Sequence, residues 1–225
     1  MPEHDTVRPA TPVVSIADPG PLGLAGFALT TFALSGHNAG FIPNLIWVGL
    51  ALFYGGLAQF CAGMWEFRRG NTFAATAFST YGAFWLSLAF FVLMILAGKV
   101  PTSGAEAINI PAALGWFLFA FFIFNTYMMI SAMRVNVAVF AVFLTLGVTE
   151  LVLAIGNWSG NPAGQGWTLI GGWLGILTAI VAWYTSFAGV VNSLVARPVA
   201  WVGTPLWNPA ASGVVDRTAS PLPRR

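Results

Sequence analysis

The chain of 225 residues has very little charge: 7% of its residues are charged, against 57% that are hydrophobic. A soluble domain carries about a quarter charged residues, so this chain has too few to cover a surface that faces water. It also lacks the alternation of apolar and polar residues that marks a transmembrane β-strand, because its apolar runs are continuous. The composition therefore predicts an all-α, multi-pass protein of the cell membrane.

The sequence also has few of the residues from which enzyme sites are built. It contains two histidines and one cysteine, Cys61, which excludes an internal disulfide. Its seven acidic residues form no metal-ligand spacing of the HExxH or CxxC kind. We therefore expect no enzyme activity and no metal or other cofactor. The first 20 residues lack the apolar core of a secretory signal, so we expect the first helix to direct its own insertion.

What the chain does have is a set of six apolar runs, each long enough to cross a bilayer core of about 30 Å as a helix. An even number of spans places both termini on one side. With the termini in the cytoplasm, every basic residue except Lys99 lies on the cytoplasmic side, in agreement with the positive-inside rule. We expect a permease domain over 18–198 between disordered cytoplasmic tails, 1–17 and 199–225. The runs lie near 21–37, 43–67, 72–97, 111–132, 135–156 and 168–196.

Two motifs carry a resemblance to a known family. The first lies over residues 54–87, YGGLAQFCAGMWEFRRGNTFAATAFSTYGAFWLS, and the second over 18–24, DPGPLGL. Together they resemble the acetate uptake transporters, or succinate–acetate permeases, whose second motif reads NPAPLGL. The resemblance covers roughly residues 18–198. It implies a homohexamer in which each subunit has its own path for small monocarboxylates, acetate first, with succinate as a further substrate.

The resemblance also implies where that path is narrowest. In this family a Phe, a Tyr and a Leu from three helices form an apolar constriction, and they correspond to Phe27, Tyr81 and Leu146. At about 1.5 Å per residue, these residues lie roughly 9, 14 and 17 Å inside their spans, near the middle of the bilayer. We therefore expect the three side chains to lie at a common level.

Residues at the start of the first helix are expected to form the mouth of the path. Pro21, Leu22 and Gly23 begin a helix whose free N–H groups and partial positive charge suit a carboxylate. From composition alone, the prolines indicate only a helix start; the substrate role comes from the resemblance. Asp18 stands where the family has Asn, and its charge would repel an anion. The resemblance also assigns path-lining positions to Asn71, Thr72 and Ala182.

Two glutamates are candidates for proton coupling. Glu150 lies four residues beyond Leu146, on the same helix face, where the family carries an apolar residue. An ionised carboxylate at that depth is costly. Two interpretations stay open: a protonated Glu150 links solute passage to a proton, or it is a structural hydrogen-bonding residue. Glu66, next to Arg68 and Arg69, is predicted to form an ion-paired turn, with gating or proton exchange as the alternative.

The sequence thus favours a permease for acetate and related small carboxylates, whose partners are protons, the lipid bilayer and further copies of itself, with no nucleic acid. One alternative is a channel-like pathway for anions or ammonia. A membrane sensor or scaffold is a second alternative, although the chain has no soluble domain. An intramembrane enzyme is a third, which the lack of catalytic clusters disfavours.

Overall fold

The computed structural model describes residues 16–207, and the regular structure in that range is helical throughout. The helices form one bundle, and five of them, α2 to α6, are long and apolar enough to cross a membrane. The first, α1, has 19 residues. The protein is therefore a multi-pass, all-helical membrane protein, as the composition predicted. The helices are α1 (Gly20–Asn38), α2 (Ile46–Arg69), α3 (Thr72–Leu96), α4 (Ile110–Ala132), α5 (Val137–Trp158) and α6 (Gly166–Ser193).

Local residues explain where these helices begin and end. The side chains of Asn71, Asn109 and Asn136 each accept a hydrogen bond from the backbone N–H three residues on, which caps α3, α4 and α5. Gly70, at φ +84°, ends α2 in the left-handed conformation that glycine adopts without strain. The predicted limits of the apolar runs lie within three residues of the helix ends.

Helix α2 contains a π-helical segment, Phe53–Ala58, at its contact with α1. A Cβ atom on Gly55 would lie 2.5 Å from Thr30 Oγ1, and one on Gly26 would lie 2.6 Å from the carbonyl oxygen of Tyr54. The two backbones therefore approach more closely than residues with side chains would allow. This close packing holds α1 and α2 side by side along one wall of the bundle.

The segment after α6, residues 199–207, packs against the bundle. The Val202 carbonyl accepts a hydrogen bond of 2.9 Å from the Ala138 N–H, and the Trp207 N–H donates to Met133 at 3.0 Å. The Tyr184 hydroxyl donates to the carbonyl of Trp201 at 2.6 Å. The sequence predicted disorder from residue 199 onward, whereas backbone groups of this segment are hydrogen-bonded to α5, to α6 and to the turn between α4 and α5. The rest of both predicted tails, 1–15 and 208–225, lies outside the described residues.

Candidate functional site

Two adjoining cavities lie inside the bundle. The larger, about 440 Å³ and here called the vestibule, is at the end where α1, α3 and α5 begin. The smaller, about 40 Å³ and here called the inner cavity, lies deeper, among α1, α3, α4 and α5. Their linings share three residues, Phe27, Tyr81 and Leu146. The structure therefore brings together the three side chains that the sequence assigned to a constriction, and places them between the two cavities.

The side chains between the cavities are apolar and tightly packed. The rings of Phe27 and Tyr81 meet edge to face with centroids 5.9 Å apart, and Leu146 is buried beside them. Further phenylalanine rings surround Tyr81, at centroid distances from 5.5 to 6.4 Å: Phe84, Phe121, Phe124 and Phe143. An ion that passed this point would lose its water without gaining a charged partner, and such a transfer is costly.

A chain of polar groups adjoins the constriction. The Tyr81 hydroxyl lies 3.1 Å from Asn125 Oδ1 and 3.3 Å from Glu150 Oε1. Asn125 Nδ2 in turn donates to the carbonyl of Phe143 at 2.8 Å. All three side chains are buried. The sequence singled out Tyr81 and Glu150 but missed Asn125, although an amide within the apolar run of α4 was a signal that could have found it.

The inner cavity is lined by polar atoms that lack partners. Within residues 16–207, Glu150 Oε2, Thr31 Oγ1 and Trp85 Nε1 are buried and make no hydrogen bond. Buried polar groups are normally hydrogen-bonded. A space of about 40 Å³ is enough for a water molecule or another very small polar molecule. The geometry therefore suits a site where something small and polar is hydrogen-bonded just beyond the constriction.

Charges from two helices meet at the vestibule. Arg69 lies 2.6 Å from Asp18 Oδ1 and 3.7 Å from Glu66 Oε1, so it pairs the start of α1 with the end of α2. Glu66 is buried, and its Oε2 has no hydrogen-bond partner in the described part of the chain. The ion pair predicted at this turn therefore uses Arg69 and reaches Asp18, a partner that sequence spacing could not indicate.

The remaining predicted mouth and lining residues fall into two groups. Pro21 and Asn71 line the vestibule. Four others lie outside the linings of both cavities for different reasons. Leu22 and Thr72 face outward, Gly23 packs on the ring of Phe78, and Ala182 is enclosed in the core beside the constriction. Gln59 was not assigned a role, yet it lines the vestibule. Its Oε1 atom is buried and has no hydrogen-bond partner among the described residues.

Comparisons with known proteins give a consistent result. The model of the GPR1/FUN34/yaaH family matches residues 4–200. The chain is 41% identical to "Ammonia transport outward protein 2" of Saccharomyces cerevisiae over 80% of its own length, and spans 64% of that protein, less than two thirds. It is 37% identical to "Succinate-acetate/proton symporter SatP" of Escherichia coli, over 84% of this chain and 96% of the relative.

A solved structure is similar as well. "Structure of the bacterial acetate channel SatP" superimposes with a TM-score of 0.77 at 36% sequence identity. The match covers 84% of this chain and all of the solved one. The likeness therefore extends over most of this chain.

Proposed function

This chain belongs to the GPR1/FUN34/yaaH family, as its two motifs predicted, and we propose on that premise that it carries acetate and related small monocarboxylates across the membrane. The observation that supports this most directly is the position of Phe27, Tyr81 and Leu146 between two adjoining cavities. Relatives named for acetate transport point to the same substrate. The protein acts as a transporter and not as an enzyme.

Passage would proceed in three stages. A carboxylate enters the vestibule, where the N–H groups of Arg69, which is paired with Asp18 and Glu66, and the amides of Asn71 and Gln59 can donate hydrogen bonds. It then loses its water at the constriction, where a bare charge is expensive. Beyond it, the unpaired polar atoms of the inner cavity offer new hydrogen bonds. A solute that is neutral, or that is accompanied by a proton, crosses the apolar step at the lowest cost.

Glu150 is the residue we assign to the proton. It borders the inner cavity and touches the constriction through the Tyr81 hydroxyl, 3.3 Å away. Its carboxyl group can therefore exchange a proton with the inner cavity and also contact the constriction at Tyr81. Glu66 in the vestibule is the second carboxyl group on the path, and we propose that it exchanges protons at the mouth.

The family resemblance implies the assembly, and the distribution of basic residues implies the orientation in the membrane. We propose that six copies assemble, each with its own path, and that both termini lie in the cytoplasm, as the distribution of arginines favours. Succinate would be a second substrate. The alternative function is a channel-like path for anions or ammonia, which the name of the yeast relative suggests. A narrow apolar step also suits a small neutral molecule such as ammonia.

The experiment that tests this function is uptake of labelled acetate by the purified full chain in liposomes. We expect saturable uptake, faster at acidic than at neutral external pH, in competition with propionate, lactate and succinate. Protein-free liposomes measure the leak of acetic acid through lipid. Uptake no faster than that leak, or competition by ammonium alone, would reject acetate transport in favour of the alternative pathway.

The substitution Glu150→Gln is expected to remove the pH dependence of protein-mediated uptake. Gln keeps the size and hydrogen-bonding shape of a neutral carboxyl group but cannot release a proton. After subtraction of the leak, the ratio of uptake at acidic pH to uptake at neutral pH should therefore fall to about one. A variant that kept the pH profile of the unmodified protein would exclude Glu150 as the coupling residue and leave it a structural role.

A further inference from the structure

Asn125 is a buried amide that is hydrogen-bonded to Tyr81 of the constriction, and neither the sequence motifs nor the comparisons assign it a role. We propose that Asn125 is a positioning residue that sets the direction of the Tyr81 hydroxyl hydrogen, so that the constriction changes its hydrogen bonding when Glu150 gains or loses a proton. The inference rests on the proposed function for its consequence in transport, and on contacts within the bundle for its physical basis.

The orientation of the Asn125 amide is fixed by its neighbours. The Phe143 carbonyl, 2.8 Å away, can only accept a hydrogen bond, so it must face the NH₂ group of Asn125. The amide oxygen is then the atom that faces Tyr81, at 3.1 Å. Asn125 is 1% exposed, so no bulk water competes for either contact. Its oxygen is therefore a fixed acceptor for the tyrosine hydroxyl.

The Asn125 amide fits in a space that a glycine on the neighbouring helix leaves open. Gly147 on α5 lies against Asn125, and a Cβ atom there would be 2.5 Å from Nδ2. A residue with any side chain at position 147 would displace the amide. The glycine lets Asn125 of α4 reach the backbone of α5 at Phe143 and the hydroxyl of Tyr81 on α3. One side chain thus joins three helices at the level of the constriction.

The tyrosine hydroxyl has a single hydrogen and two acceptors in reach, Asn125 Oδ1 and Glu150 Oε1. When Glu150 is neutral, its carboxyl hydrogen is donated to the tyrosine oxygen, and the tyrosine hydrogen goes to Asn125. The hydrogen bonds from Glu150 Oε1 through Tyr81 and Asn125 to the Phe143 carbonyl are then all made, while Glu150 Oε2 has no partner among the described residues. When Glu150 is ionised, it attracts the tyrosine hydrogen, and Asn125 Oδ1 loses its donor in a buried site. An unpaired buried acceptor is unfavourable, so Asn125 favours the neutral carboxyl group.

Other titratable groups on the helices around Glu150 make no hydrogen bond or salt bridge with it in the described part of the chain. Tyr81 is the titratable group that α3 directs at the carboxyl group. On the helices α1, α4 and α6 the titratable residues are His37, Tyr127 and Tyr184, and Tyr184 is bonded to Trp201. The uncharged polar side chains that line the inner cavity with Glu150 are Thr31, Ser35 and Asn38 of α1, Trp85 of α3 and Thr149 of α5. Within residues 16–207, Tyr81 is therefore the side chain that is hydrogen-bonded to Glu150, and Asn125 is bonded to that tyrosine.

The test compares two substitutions that act in opposite directions on the pH profile of acetate uptake. Asn125→Leu removes the competing acceptor, so the Tyr81 hydroxyl keeps its hydrogen bond to an ionised Glu150. The pH of half-maximal uptake should therefore fall. Tyr81→Phe keeps the ring but removes the donor to the carboxylate, so half-maximal uptake should move to higher pH. Because a hydrogen bond to a charged group is about twice as strong as a neutral one, we expect shifts of about one pH unit.

A second variant and a matched control guard against misfolding. Gly147→Ala should push the amide from its place and move the profile in the same direction as Asn125→Leu, without removing a polar group. Thr126→Val alters the next residue on α4, whose hydroxyl bonds to its own helix at Phe122, and should leave the profile unchanged. Equal shifts for Asn125→Leu and Tyr81→Phe, or no shift in both, would overturn the proposal.

A readout that needs no transport separates this inference from the proposed function. The infrared carbonyl stretch of a protonated carboxyl group, assigned by its loss in Glu150→Gln, can be titrated in detergent. Its midpoint should move down in Asn125→Leu and up in Tyr81→Phe. If these shifts occur in a protein that does not carry acetate, the hydrogen-bond inference stands and the transport function fails. If acetate is carried but the band does not shift, the inference about Asn125 is wrong.

Discussion

Replacing Leu146 with tryptophan is expected to abolish most acetate uptake while the protein still inserts and assembles. Leu146 lines both cavities opposite the rings of Phe27 and Tyr81, so a larger side chain there occupies the passage between them. An additional barrier of about 1.4 kcal/mol is enough to slow passage tenfold, and a blocked constriction should exceed that. The measurement is the initial rate of labelled acetate uptake into liposomes at acidic pH.

The matched control is Leu144→Trp, which makes the same change two residues earlier on the same helix. Leu144 is 43% exposed on the outer face of the bundle, and lines neither cavity. This variant should transport at the rate of the unmodified protein. If the two substitutions slow uptake equally, the effect comes from disturbed packing of α5, and the constriction is not where we place it. If Leu146→Trp transports normally, the path runs elsewhere.

The substitution Gly172→Ala is expected to destabilise the protein strongly, although it adds only one methyl group. A Cβ atom on Gly172 would overlap the backbone at the end of α1, at the Ala39 nitrogen, the Asn38 carbonyl carbon and the Ser35 oxygen. Backbone atoms cannot move aside as a flexible side chain can, so α1 and α6 must separate. Overpacking of this kind costs about 1 to 3 kcal/mol. The temperature at which half of the detergent-solubilised protein stays monodisperse should fall by several degrees.

Gly49→Ala provides the comparison, because Gly49 is also helical but has open space where the new methyl group would lie. Alanine is the better helix former by about 0.5 to 1 kcal/mol, so this variant should be as stable as the unmodified protein or slightly more so. Equal losses in the two variants would mean that glycine itself, and not the close approach of α1 and α6, matters at these positions.

The helices could be predicted from the sequence because their signals are local. Continuous apolar runs set their lengths, and Asn71, Asn109, Asn136 and Gly70 mark the ends by bonds to residues three or four positions away. The packed segment 199–207 was missed for the opposite reason. Its scattered tryptophans and valines show no period, and its backbone is held by side chains of α6 and by backbone groups of α5 and the α4–α5 turn.

The candidate site was predictable only in part. Phe27, Tyr81 and Leu146 came from family motifs, and nothing in the spacing of three residues on three helices would have brought them together. Asn125 was missed because its importance depends on Gly147 and Tyr81, which lie on other helices. Leu22 and Ala182 were placed on the path by family position alone. The orientation of α1 about its axis leaves Leu22 exposed, and that of α6 buries Ala182 in the core.

Tyr81 combines two properties in one side chain: its ring meets Phe27 between the cavities, and its hydroxyl bonds to Asn125 and Glu150. Under the proposed function, the size limit set by the ring and the proton coupling through the hydroxyl cannot be changed separately. A smaller residue at this position would admit bulkier acids and would also disconnect the proton. Any broadening of the substrate range by that route should therefore be accompanied by a loss of the capacity to concentrate what is taken up.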